Sequence, residues 1–67
     1  MREQWVLNMS EQDRSDFLRG LRPGDVISVH REGRCDVVAV LDGRLEVRTQ
    51  VGLRKTVKLT SVVGRWV

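Results

Sequence analysis

Tyrosine is absent from this 67-residue chain, and its rings are one phenylalanine and two tryptophans. So few aromatics argue against a sheet surface that stacks several bases on its own rings. Cysteine occurs once, at Cys35, so no disulfide can form within one chain. A lone thiol suits a reducing compartment. His30 and Cys35 are the only soft ligands, too few for a metal site, and no cofactor is expected. No apolar run approaches the ~18–20 residues of a membrane span. The opening Met-Arg-Glu-Gln-Trp lacks the apolar stretch of a secretory leader. These absences describe a cytoplasmic protein with no membrane partner. Repeats, linkers and low-complexity stretches are also missing, so residues 1–67 read as one domain. A chain this short buries only about 60% of its unfolded surface. With neither disulfide nor metal to help, homo-oligomerisation stays open as a source of stability.

Catalytic signals are equally thin. His30 has no Cys or Ser partner placed by a motif, and the acidic residues fall mostly in turns or on a helix. Cys35 follows a turn and reads as a structural thiol. The glycines are spaced as hairpin turns rather than as a phosphate loop. A non-enzymatic binding protein is the expectation.

Turn chemistry is what the chain has in plenty. Asp42-Gly43 lies between Val37-Val38-Ala39-Val40-Leu41 and Leu45-Glu46-Val47-Arg48-Thr49. Asp-Gly between apolar runs is among the strongest hairpin signals, because a type I′ turn needs φ > 0 at both central residues. Further turns are expected at Glu32-Gly33 and Val51-Gly52-Leu53. Two-residue loops at the first two and a three-residue loop at the third pair Ile27 with Val38, Val40 with Leu45, and Val47 with Val57. They agree on one inner face of Ile27, Val29, Val38, Val40, Leu45, Val47, Val57 and Leu59.

Upstream, Ser10 is a good helix N-cap with Asp13 three residues on, and Glu11 and Asp13 suit the helix dipole. Gly20 is read as the residue just past the end, and Pro23 forbids continuation. A short helix over about residues 10–20 is therefore predicted. Residues 1–9 read as a strand, an arm or a staple. A single 3₁₀ turn over Thr60-Ser61-Val62 precedes a closing strand from Val63 to Val67. The fold class is mainly β: a small five-stranded barrel with an N-terminal helix.

Charge gives the functional expectation. The net charge is +3 and the pI about 10.0, with residues 1–23 neutral and residues 24–67 carrying the whole excess. Arginine, which outnumbers lysine, favours planar contact with phosphate or carboxylate. In the expected register Arg48, Arg54 and Lys58 share one exposed hairpin face, with Glu46 across from Lys58. Arg31, Arg34 and Arg44 sit at turns. Such a face suits nucleic acid, RNA first, or an acidic protein surface. The alternative is a protein-interaction module, a small regulator docking on a larger enzyme. Its anchors would be Trp5, Trp66 or an outward patch of Val37, Ala39 and Leu41. The two tryptophans, one near each end, have a second reading: they meet and plug the barrel.

A helix followed by five short strands resembles the SH3-like small-barrel superfold. Within it, QDRSDFLRGLR looks like the N-terminal helix of the Sm-like group, and VKLTSVVGRWV looks like that group's second segment and closing strand. The likeness runs through residues 12–67 and implies rings that bind RNA. Two features depart from it. GRCDVVAVLDGRL lacks the internal glycine that lets the Sm-like strand bend, and Lys58 is followed by Leu59 where one branch of the group has a Lys-His pair. LRPGDVISVHREGR resembles the opening strand and loop of KOW and Tudor-like barrels, and similar phrases open many small phage and bacterial proteins.

Overall fold

The computed structural model describes residues 2–67. In chain order the strands are β1 (Glu3–Trp5), β2 (Val26–Val29), β3 (Gly33–Leu41), β4 (Arg44–Arg48), β5 (Arg54–Lys58) and β6 (Val62–Trp66). One helix, α1 (Glu11–Arg19), lies between β1 and β2. Single 3₁₀ turns occupy Val6–Asn8 and Leu59–Ser61, the second beginning one residue before the predicted position. The strands form one antiparallel sheet in the order β1-β6-β2-β3-β4-β5. Five strands closed into a barrel were expected. The structure has six, and the sheet stays open, because β1 adds to β6 and leaves β1 and β5 as edges. The outer edge, β5, reads Arg54-Lys55-Thr56-Val57-Lys58, and charge of this kind discourages edge-to-edge pairing.

The helix forms as its caps dictate. Ser10 accepts a hydrogen bond from the Asp13 amide at 3.1 Å. Gly20 closes the last turn by donating to the carbonyls of Asp16 and Phe17, both at 3.1 Å. Its φ of −87° is right-handed, so it ends the helix as the C-cap rather than as a left-handed residue beyond it. Phe17 and the following Leu21 bury themselves against Ile27, Val29, Cys35, Val37, Leu45, Val47 and Val62, with Val6 joining from the first 3₁₀ turn. Val57 and Leu59, both predicted for the inner face, pack half-buried against this core.

The expected register needs three corrections. The first hairpin pairs Ile27 with Cys35, not Val38, because three residues, His30 to Glu32, make the loop. Its turn is closed by the Glu32 amide on the Val29 carbonyl, with Arg31 held at φ 71°. An odd shift of three exchanges the faces of a strand. Cys35 and Val37 therefore point inward, while Val38 is half-buried. The second hairpin keeps the expected Val40–Leu45 pair. Only Gly43 has positive φ, at 70°, so the turn is not type I′. Between the two hairpins the strand must change parity, and a bulge at Val38 does this: Val37 pairs with Val47 and Ala39 with Glu46. Past the bulge Val40, near the hairpin tip, is 45% exposed. The third hairpin is shifted by two, pairing Leu45 with Val57 and Val47 with Lys55, so its faces stay as expected.

The bulge also bends the sheet, as bulges do. Lys55 of β5 reaches Glu32 of the β2–β3 turn at 2.8 Å, although β3 and β4 lie between those strands in the sheet.

Candidate functional site

The helix and core take the inner face, which leaves the outer face for function. One register row crosses all six strands on that face: Glu3, Trp66, Val26, Asp36, Arg48 and Arg54. The neighbouring row on the helix side of the sheet holds Gln4, Arg65, Ile27 and Cys35. Arg65 caps the core edge there, its guanidinium 5.4 Å from the centre of the Phe17 ring.

At one end of the outer face lies the basic strip. Arg48 and Arg54 are direct cross-strand partners, and so are Arg44 and Lys58. Glu46 stands between them opposite Thr56, not opposite Lys58 as expected. All four cations are exposed. Among the described residues none of the four is in an ion pair. Lys55, the other cation of β5, pairs with Glu32 instead. The structure thus brings Arg48, Arg54 and Lys58 together as the sequence predicted, and adds Arg44.

At the other end is a cleft of about 670 Å³ between β1, β6 and the β2–β3 turn. Trp5 and Trp66 both line it, with Glu3, Ser28, His30, Arg31 and Arg34 among its walls. The Trp66 indole donates to the Ser28 hydroxyl at 3.1 Å, and that hydroxyl donates to a Glu3 carboxylate oxygen. Ser28 is only 6% exposed, so this chain satisfies a hydroxyl that burial would otherwise penalise. Arg34 lies over the Trp66 ring, 5.1 Å from its centre. It also borders a smaller hollow with Asp36, Arg48, Thr49 and Gln50, and so joins the cleft to the strip. Arg31 and Arg34, expected at a turn beside the strip, belong to the cleft.

The two tryptophans do share one site, but they do not plug a barrel. They sit on the outer face, and Trp5 is 46% exposed. What permits this is Gly64, opposite both Trp5 and Ser28. A Cβ there would lie 2.6 Å from the Gln4 carbonyl oxygen, so only glycine lets β1 approach so closely. Sequence reasoning treated the glycines as turn residues. The available signal was a glycine inside a strand, which marks a close backbone approach.

The proposed Val37, Ala39 and Leu41 patch is broken by the bulge. Val37 turns inward and is 3% exposed, while Ala39 and Leu41 remain on the outer face. Cys35 is buried in the core. Burial pushes its thiol pKa up, Glu32 and Asp36 add to the rise, and Lys55 opposes it. A protonated buried thiol is a poor nucleophile. Among the described residues no three His, Cys, Asp or Glu side chains gather into a metal cage, and no helix is long and apolar enough to cross a membrane.

Comparison with family models, with curated proteins and with solved structures finds no match.

Proposed function

We propose that this chain is a non-enzymatic nucleic-acid-binding module, RNA before DNA, that uses the outer face of its sheet. The observation that carries the reading is the pairing of Arg44 with Lys58 and of Arg48 with Arg54 on one exposed surface. Four cations without ion-pair partners among the described residues keep their charge available for phosphates. Neutralising several phosphates supplies most non-specific affinity through counterion release. Arginine's fork suits phosphate oxygens better than a point charge does.

Docking on a protein is the second reading. The exposure of Trp5, at 46%, and of nearby Leu7, at 81%, favours it, because apolar side chains left in water often anchor partners.

A fluorescence-anisotropy titration with random-sequence RNA and DNA oligomers at low salt separates the two. Replacing Arg48, Arg54 and Lys58 together by Ala should leave the melting temperature near the parent value. Binding should weaken, and the salt slope should fall by about two units at 0.7 per single-strand phosphate contact. A parent affinity weaker than ~100 μM, the weak end of non-specific binding, would reject the nucleic-acid reading in favour of protein docking.

A further inference from the structure

We infer that the cleft between β1, β6 and the β2–β3 turn is a nucleobase pocket for single-stranded nucleic acid, with guanine its preferred base. This rests on the nucleic-acid reading and adds a base-specific site to the phosphate strip.

Size and lining come first. A cleft of about 670 Å³ falls within the range of ordinary small-ligand pockets. It offers Trp5, nearly half exposed, as a flat surface that is not sealed into the core. Base stacking on such a ring tolerates any base. The second ring, Trp66, is fixed by its bond to Ser28 and by Arg34 above it.

Polarity then selects the base. The Ser28 hydroxyl uses one lone pair of Glu3 Oε2 and leaves the other, and among the described residues nothing hydrogen-bonds Oε1, so two adjacent acceptors stay open. A carboxylate only accepts hydrogen bonds. Guanine presents two adjacent donors, N1–H and N2–H, on its Watson–Crick edge. Adenine, cytosine and uracil each set an acceptor beside their donor, and a carboxylate repels it. Single-stranded bases are read on this edge.

Charge decides the class of ligand. Arg31 and Arg34 stand at the cleft against the single carboxylate of Glu3. That balance favours an anionic strand and disfavours a cationic side chain, such as a methylated lysine, despite the paired tryptophans. Arg34 also borders the hollow next to Arg48, so a strand with its base in the cleft continues onto the strip.

The test uses uridine hexamers carrying one central guanosine, adenosine, cytidine or uridine, followed by anisotropy and by tryptophan emission at fixed low salt. The guanosine hexamer should bind about tenfold tighter than the all-uridine one, on the scale of a good bidentate base contact. Glu3→Gln should erase that preference, so that on this variant the guanosine and all-uridine hexamers bind alike. Trp5→Ala should weaken every hexamer by about tenfold, on the scale of one lost stacking contact. Arg48→Ala should weaken all of them equally and keep the preference. If all four hexamers bind alike and Trp5→Ala changes nothing while Arg48→Ala weakens binding, the pocket is rejected and the strip stands. If no hexamer binds, both readings fall. A trimethyllysine peptide that quenches tryptophan emission when no hexamer does assigns the cleft to a protein ligand and overturns the inference. Melting curves for each variant keep misfolding apart from lost contact.

Discussion

The two ends of the outer face share one register row yet are finished differently. Around Trp66 the polar groups are tied to each other, indole to Ser28 and Ser28 to Glu3, with Arg34 over the ring. Around Arg48 and Arg54 long cations face water instead, with no ion-pair partners among the described residues. Side chains held in place before a ligand arrives lose little entropy on binding, and they can discriminate. Free arginines lose more, and they respond mainly to charge. One surface therefore offers a preorganised end suited to selecting and a flexible end suited to attracting.

The largest expected effect removes both ends at once. Leu45 is fully buried beneath the hairpin that carries the strip, and Leu45→Ala should cost about 2–5 kcal/mol, the range for core leucines. That is a large share of the stability of any small domain. Denaturant melts measure it, and an unchanged midpoint would show that this residue does not hold the core together.

A second change should split the two ends. Gly64→Ala sets a methyl group against the β1 backbone and should cost about 1–3 kcal/mol, the usual size of overpacking. Amide exchange should accelerate in residues 2–8, and tryptophan emission should shift, while β4 and β5 keep their protection. Equal acceleration in all strands would mean that the ends do not separate.

The smallest effect sharpens the selecting end. Arg31 holds φ 71°, a left-handed conformation that costs a side chain about 1–2 kcal/mol. Arg31→Gly removes that strain but loosens the unfolded chain, so stability should rise by up to about 1 kcal/mol. If the inferred pocket uses the guanidinium, guanosine-hexamer affinity should fall as the melting temperature rises. A melting temperature that does not rise would show that the turn is not strained.

Local signals carried the reading well wherever they act within a few residues. Ser10, Asp13 and Gly43 did what their chemistry predicts, and the β4–β5 strip kept its faces because a shift of two preserves parity. The β2–β3 hairpin failed for an equally local reason. Glu32-Gly33 looked like the loop, but Arg31 joins Gly33 at positive φ, 71° and 77°, and the loop grew to three residues. The resulting misfit was then absorbed at Val38. The sequence there has no glycine to bend the strand, so the bend comes from a bulge, which needs no particular residue type.

The positions of β2 to β6, the helix caps and the basic excess of residues 24–67 follow from the sequence alone, because each depends on backbone preferences or charge counted along the chain, whereas the loop lengths and the sixth strand do not. The cleft does not. Glu3, Ser28 and Trp66 lie far apart in sequence and meet only because β6 returns between β2 and β1. Strand pairing at that distance depends on which surfaces can be buried together, and no short stretch of residues records it. Tertiary packing put a buried serine, a carboxylate and two tryptophans on one face, where Gly64 leaves room for them.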